Sequence, residues 1–158
     1  MQKISPMLWF DTQAEEAAKF YTSVFKNSKI KDVVPYPEGT PGEAGKVMVV
    51  SFEINGQQFT ALNGGPLFKF NESVSFVIAC ETQEEVDYYW SKLTENGGEE
   101  SMCGWLKDKF GLSWQVTPTA IPELMSKATP AQSARVMGEV MKMRKIDIAT
   151  LHRAFKGE

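Results

Sequence analysis

Histidine is all but missing from this sequence: among 158 residues there is one, His152, near the carboxyl end. That shortage removes the commonest general base and the commonest ligand for transition metals. Cysteine is scarce too. Cys80 and Cys103 form no CxxC pair, so ribbon-type zinc sites and dithiol redox motifs are excluded. Two isolated thiols fit a reducing cytoplasm and read as packed side chains, with a disulfide as the alternative. No apolar run approaches the ~20 residues of a membrane span. The opening Met1-Gln2-Lys3-Ile4-Ser5-Pro6 lacks the apolar segment of a signal peptide, which makes a cytoplasmic location the expectation. Excess positive charge is also lacking. Seventeen Lys and Arg against twenty Asp and Glu leave a net charge of −3, without a general pull toward nucleic acid or anionic lipid.

What is present suffices for a soluble globular chain, since 42% apolar residues can fill the core of one ordinary domain. Ile4 to Phe10 reads as a strand of β-formers. Gln13 to Phe25 follows as a helix, with Asp11 or Thr12 as cap and an apolar stripe of Ala17, Phe20, Tyr21, Val24 and Phe25. Ile30 to Tyr36 is a second strand, and the Pro- and Gly-rich stretch 37–43 is a loop. Val47 to Ile54 alternates strictly, Asn55-Gly56 marks a hairpin turn, and Gln57 to Leu62 returns.

The pattern then repeats. Ser73 to Cys80 is a strand and Glu81 to Leu93 a helix. The helix opening Glu81-Thr82-Gln83 with Glu84-Glu85 and Tyr88-Tyr89 parallels Asp11-Thr12-Gln13 with Glu15-Glu16 and Phe20-Tyr21. Glu99 to Trp105 and Leu106-Lys107 are short strand candidates. Asp108 to Val116 supplies the last strand behind a charged turn ending at Gly111. There Ser113, Gln115 and Thr117 share one face; Leu112, Trp114 and Val116 share the other. Gly111 to Gln115 lines up with Gly56 to Thr60, matching Thr60 with Gln115. Two βαβββ units, each too small to bury its own sheet, would pair their sheets around a shared cleft. The fold class is therefore α+β. After Pro118 the pattern turns helical: a short helix with Pro122 in its first turn, a longer one from Thr129-Pro130, and a last one capped by Asp147. Met125, Met137, Met141 and Met143 read as packing residues, and the tail's Lys and Arg as solvated faces.

Several motifs taken in order are similar to one known family. Leu8-Trp9-Phe10-Asp11 with Ala14-Glu15-Glu16-Ala17 and Phe20-Tyr21 resembles the opening of PhnB-like proteins. So do Leu62-Asn63-Gly64-Gly65-Pro66, Gly104-Trp105-Leu106-Lys107-Asp108 and Phe110-Gly111-Leu112-Ser113-Trp114-Gln115. The tail from Arg135-Val136-Met137 through Lys145-Ile146-Asp147-Ile148 resembles members of the same subgroup. These proteins belong to the vicinal oxygen chelate superfamily, with glyoxalase I and the bleomycin-resistance proteins. The resemblance implies paired βαβββ modules, here about 1–70 and 71–122 within a domain spanning 1–122, followed by a helical extension at 123–158. It also implies a homodimer, in keeping with the apolar tail.

Metal-using members of that superfamily place His, Glu or Gln ligands on the first and last strand of each module. Carried over, the last strands offer Thr60 and Gln115; the first strands offer residues around Met7 and Trp9, and Ser73 or Ser75. Only Gln115 is a credible ligand, and hydroxyls bind divalent metals poorly without a carboxylate or imidazole beside them. The expectation is that the superfamily's metal site is lost; the cofactor is left unknown, a divalent metal being possible but not supported by the ligand residues. The subgroup also carries the label 3-demethylubiquinone-9 3-methyltransferase. A methyl-donor cofactor usually needs a Gly-rich turn opening a helix, and Asn63-Gly64-Gly65-Pro66 leads into no obvious helix.

Without imidazole or metal, chemistry would fall to carboxylates, tyrosines or thiols. Glu15-Glu16 and Glu84-Glu85 sit at helix starts, where negative charge is favoured for structural reasons. Cys103 is the best-placed thiol, without a base near it in sequence, and Tyr36 lies at a loop within reach of a ligand. Trp9, Phe68, Phe70 and Trp105 supply flat apolar surface near the expected cleft, as in drug-sequestering relatives. The expected ligand-binding set is Trp9, Thr60, Asn63, Ser75, Trp105 and Gln115, and the expected function is small-molecule binding. A metal-dependent lyase, isomerase or dioxygenase using Gln115 is the second reading; a methyltransferase is the third.

Overall fold

A computed structural model describes residues 2–158. The chain runs β1 (Met7–Phe10), α1 (Ala14–Val24), β2 (Ser28–Pro35), β3 (Val47–Ile54), β4 (Gln57–Asn63), β5 (Ser75–Cys80), α2 (Gln83–Thr94), β6 (Glu99–Glu100), β7 (Trp105–Lys107) and β8 (Ser113–Pro118), then α3 (Ala120–Lys127), α4 (Pro130–Val140) and α5 (Ile148–Lys156). It divides into two compact units, one ending at Phe70 and the other spanning Asn71–Glu158. Among the described residues no helix is long and apolar enough to cross a membrane.

Each unit holds one four-stranded sheet, ordered β1-β4-β3-β2 in the first and β5-β8-β7-β6 in the second. The internal repeat is therefore a repeat of topology, and it holds at the level of register. Met7 pairs with Thr60 and Val77 with Gln115. Met7 and Val77 stand the same distance before the shared acid-Thr-Gln helix openings, so matching Thr60 to Gln115 matches the parallel ladders as well. The fold is α+β, built from two βαβββ modules followed by three helices.

In the first unit the alternation of β3 and β4 sends Val50, Phe52, Phe59 and Ala61 to one face, where they are buried with Ala14, Ala17, Tyr21 and Val24 of α1. Phe52 stacks on Phe59 at 5.3 Å and on Tyr21 at 6.1 Å. Burial of a side chain such as Phe52 contributes about 1.5–3 kcal/mol. Asn55 and Gly56 turn the hairpin with φ of 46° and 80°, the conformation that an Asn-Gly pair supplies most cheaply. The cap of α1 departs from expectation. Neither Asp11 nor Thr12 fills it; the Asn63 Oδ1 at the end of β4 accepts the Ala14 N–H at 2.8 Å, a contact no local pattern encodes.

In the second unit Val86, Trp90 and Leu93 of α2 are buried, as are Ile78, Leu106, Trp114 and Val116 of the sheet. Thr82 caps α2 as the first-turn pattern anticipates. The strand expected over Glu99 to Trp105 shrinks to two residues at β6. Cys103 and Gly104 both adopt left-handed backbone, φ 60° and 82°, and turn the chain back before β7. That turn is fixed from a distance: Cys103 N–H donates to Met143 O and Gly104 N–H to Arg144 O. The first strand of the unit starts at Ser75 rather than Ser73, because the Asn71 carboxamide oxygen takes the Ser73 N–H and hydroxyl into a local turn.

The expected boundary at 122 falls inside α3. The last three helices build a small core from Leu124, Val136, Val140, Ile146, Leu151 and Ala154 within the second unit. Gln83 at the start of α2 joins them to the sheet, donating to Ile146 O and accepting from Ile148 N. Thr129 closes a capping box with Gln132, and Asp147 caps α5. Met125 and Met143 pack against this core, whereas Met137 and Met141 are exposed.

Candidate functional site

Each sheet packs its helix on one face and leaves the other face uncovered by that helix. On the first unit's open face the register brings Met7, Trp9, Thr60, Leu62, Val49 and Ser51 together. Trp9 is the anchored member. Its indole N–H donates to Gly65 O at 2.9 Å, its ring meets Phe68 edge-on at 5.0 Å, and it lies so close over Gly64 that any side chain there would overlap it. Trp9 and Thr60 thus share a sheet face.

Asn63 lies elsewhere. Its parity puts it on the helix side of the sheet, and its amide is fully engaged: Oδ1 accepts from Ala14, and Nδ2 donates to Val47 O at 3.0 Å. Its main-chain oxygen accepts the Tyr36 hydroxyl, so the tyrosine expected to reach a ligand is held against the fold. Both residues line a groove of about 960 Å³ between the 36–46 loop and the start of α1.

On the second unit's open face, Gln115 sits between Trp105 of β7 and Val77 of β5. Its Nε2 donates to Ser75 Oγ at 2.9 Å. The three residues expected here, Ser75, Trp105 and Gln115, are brought side by side. A second row crosses the same face: Glu99, Lys107, Ser113 and Ser75 pair in turn. Lys107 Nζ lies 2.5 Å from the Glu72 carboxylate. That hydrogen bond draws the Glu72 carboxyl below its ordinary range and raises the Lys107 ammonium above its own, Glu99 adding to the latter. Ser113 is buried, with a hydroxyl that has no hydrogen-bond partner among the described residues.

Asp108 is what the sequence reading missed. Read as part of a charged turn, it is 2% exposed; Oδ1 accepts the Phe110 and Leu112 N–H groups, and Oδ2 accepts the Trp114 indole. The signal available was an Asp placed to cap its own Gly-containing turn with a Trp on the following strand. Cys80 is buried, and desolvation together with the nearby Glu85 charge pushes its thiol up to about 12. Cys103 Sγ rests 3.6 Å from Met141 Sδ.

The residues at the positions where superfamily members hold a metal do not fit one. They offer hydroxyls at Thr60 and Ser75 and, at Gln115, a single neutral amide with no carboxylate or imidazole beside it. Among the described residues no three His, Cys, Asp or Glu side chains are grouped to hold an ion. Asn63-Gly64-Gly65-Pro66 passes into a loop that reaches β5 without forming a helix.

Comparison with known proteins adds the following. The family model described as 3-demethylubiquinone-9 3-methyltransferase matches residues 2–117, leaving the three tail helices outside the match. A structure described as a putative 3-demethylubiquinone-9 3-methyltransferase, PhnB protein, from Bacillus cereus is 38% identical. The match covers 75% of this chain and 100% of that one, with a TM-score of 0.68. A crystal structure of a Pseudomonas aeruginosa protein is 20% identical over 75% of this chain and 98% of that one, TM-score 0.60. A glyoxalase/bleomycin resistance protein from Albidiferax ferrireducens is 16% identical over 72% and 95%, TM-score 0.47. A comparison with curated protein sequences finds no match.

Proposed function

The chain belongs to the 3-demethylubiquinone-9 3-methyltransferase family, PhnB-like proteins of the vicinal oxygen chelate superfamily, and from that premise we propose that it binds a small molecule on its open sheet faces without an intact metal site. The observation that carries this reading is the Gln115–Ser75 hydrogen bond beside Trp105: a fixed polar pair next to a flat ring, on a sheet face that the helix does not cover. Trp9 and Thr60 put a ring and a hydroxyl on the first unit's face. Neither face offers a carboxylate or imidazole at the superfamily's ligand positions, so the reading assigns binding by hydrogen bonds and ring contact. The family's methyltransferase name finds no support in the loop after Asn63, which opens no helix for a donor cofactor.

In this reading the protein works in the cytoplasm as a homodimer. Apolar Met7 and Val77 on the open faces and Met141 in the tail are more than 60% exposed, surface that a partner copy would remove from water. Metal analysis of purified protein tests the central claim. The expected result is no stoichiometric metal, with chemical-shift changes at the Trp9 and Trp105 indoles and the Gln115 amide on titration with benzamide. Tightly bound Ni, Zn, Mn or Fe that disappears in Gln115→Ala would instead establish the lyase, isomerase or dioxygenase reading. Calorimetric binding of S-adenosylmethionine would establish the methyltransferase one. Sedimentation equilibrium decides the dimer.

A further inference from the structure

The polar row across the second unit's open face has a cavity beside it, and of the two the proposed function uses only Ser75 and Trp105. The cavity measures about 140 Å³ and is lined by Glu72, Glu99, Trp105, Lys107 and Ser113 among others. Ser113 lies in the middle of the row, paired with Lys107 on one side and Ser75 on the other. It is 1% exposed, yet its hydroxyl has no hydrogen-bond partner among the described residues. A buried hydroxyl left in that condition costs stability, so its presence in a cavity wall calls for a ligand atom.

Charge decides which atom. The lining carries three carboxylates, Glu72, Glu99 and Glu100, against the one ammonium of Lys107; Lys107 is paired with Glu72 and Glu100 faces Arg144 at 3.8 Å, while Glu99 has no ion-pair partner among the described residues. The raised Lys107 pKa, caused first by Glu72 and then by Glu99, shows a local field that stabilises positive charge. A carboxylate or phosphate would face three glutamates. A divalent ion would lack ligands, because no three acidic, His or Cys side chains are grouped to hold one among the described residues. An ammonium group suits what is present: it could donate to Glu99 and to the Ser113 hydroxyl, with the aromatic Trp105 in the same wall. A cavity of ~150 Å³ holds benzene, so the ligand end has roughly six non-hydrogen atoms.

We infer that this cavity is the subsite for the ammonium end of a small amine ligand, an assignment that rests on the open face being the ligand surface. The test is a titration of the full chain, followed by amide and indole NMR signals, with n-butylammonium, 1-butanol, butyrate and benzamide. Butylammonium should give saturable shifts at the Ser113 amide and the Trp105 indole. Butanol should bind about fivefold more weakly or worse, and butyrate should not bind. Glu99→Gln should weaken butylammonium by a similar factor. Ser113→Ala should weaken it too while leaving the free protein's melting temperature unchanged or higher. Equal binding of butanol and butylammonium, or indifference to Glu99→Gln, overturns the amine subsite. So does a lowered melting temperature in Ser113→Ala with binding intact, which would mark the hydroxyl as structural. If benzamide shifts Trp105 and Gln115 while butylammonium does nothing, only the subsite falls; if neither acts, the open-face reading falls with it.

Discussion

Asp108 Oδ2 accepts the indole N–H of Trp114 at 2.8 Å, tying a four-residue turn to the strand it feeds. The other carboxylate oxygen holds the turn itself, through the Phe110 and Leu112 N–H groups. Asp108→Asn can keep that second function but must point an NH2 at the indole, donor against donor. The expected loss is about 1–3 kcal/mol in urea unfolding, the cost of a buried donor without acceptor. In a Trp114→Phe background the same change should cost clearly less. An equal cost in both backgrounds would show that the indole bond contributes nothing.

Gly64 and Gly65 should fail for different reasons when changed to alanine. A Cβ on Gly64 would overlap the Trp9 ring, with no backbone strain involved. A Cβ on Gly65 meets open space, but its φ of 88° is left-handed. Gly64→Ala should therefore displace Trp9, costing about 1–3 kcal/mol and moving the Trp9 indole signal. Gly65→Ala should cost roughly 1–2 kcal/mol with that signal nearly unmoved. If the Trp9 signal stays in place in Gly64→Ala, the ring is not seated as described.

Features encoded within a few residues were legible before the structure. Val47–Ile54 with Asn55-Gly56, the Thr129-Pro130 helix start and the Asp147 cap were all readable, because alternation, turn chemistry and capping act locally. What escaped depends on contacts distant in sequence. Asn63 reads as a free polar residue near a loop, yet both ends of its amide serve Ala14 and Val47. The end of β6 is set by Met143 and Arg144 oxygens, about forty residues on, by the long-range closure that local propensity does not see. Of the candidate site, the shared faces followed from period two, whereas the Gln115–Ser75 bond needed the parallel register of β5 on β8.

Acid should loosen the carboxyl-terminal helix first. Asp147 accepts the Thr150 N–H at 2.6 Å, and that bond draws its carboxyl below the ordinary 3.8. With the folded value below the unfolded one, the cap's contribution is present above about pH 4 and is lost as pH falls through the depressed value. Amide exchange at Thr150 and Leu151 should rise over that window. Asp147→Asn, still a good cap, should abolish the pH dependence at little cost at neutral pH; Asp147→Ala should cost about 1 kcal/mol at neutral pH and less as pH falls through that window. Exchange at Thr150 that ignores pH in the native sequence would dismiss the cap.

Alkali should act through Cys80. Burial first, and the charge of Glu85 second, push its thiol from 9.0 up to about 12. The folded chain therefore prefers the protonated thiol. The stability this gives is fully present below about pH 9 and drains away as pH rises toward 12. Iodoacetamide at pH 8 should accordingly modify Cys103 alone in the native protein and both cysteines in urea, since the thiolate is the reacting species and Cys80 has neither charge nor access. Cys80→Ala should flatten the fall in urea midpoint between pH 9 and pH 11 relative to the native sequence, while the remaining slope comes from the other alkaline groups. Rapid native alkylation of Cys80 would mean that the β5–α2 junction opens on the labelling timescale, and the tight seating of Cys80 beneath α2 would have to be given up.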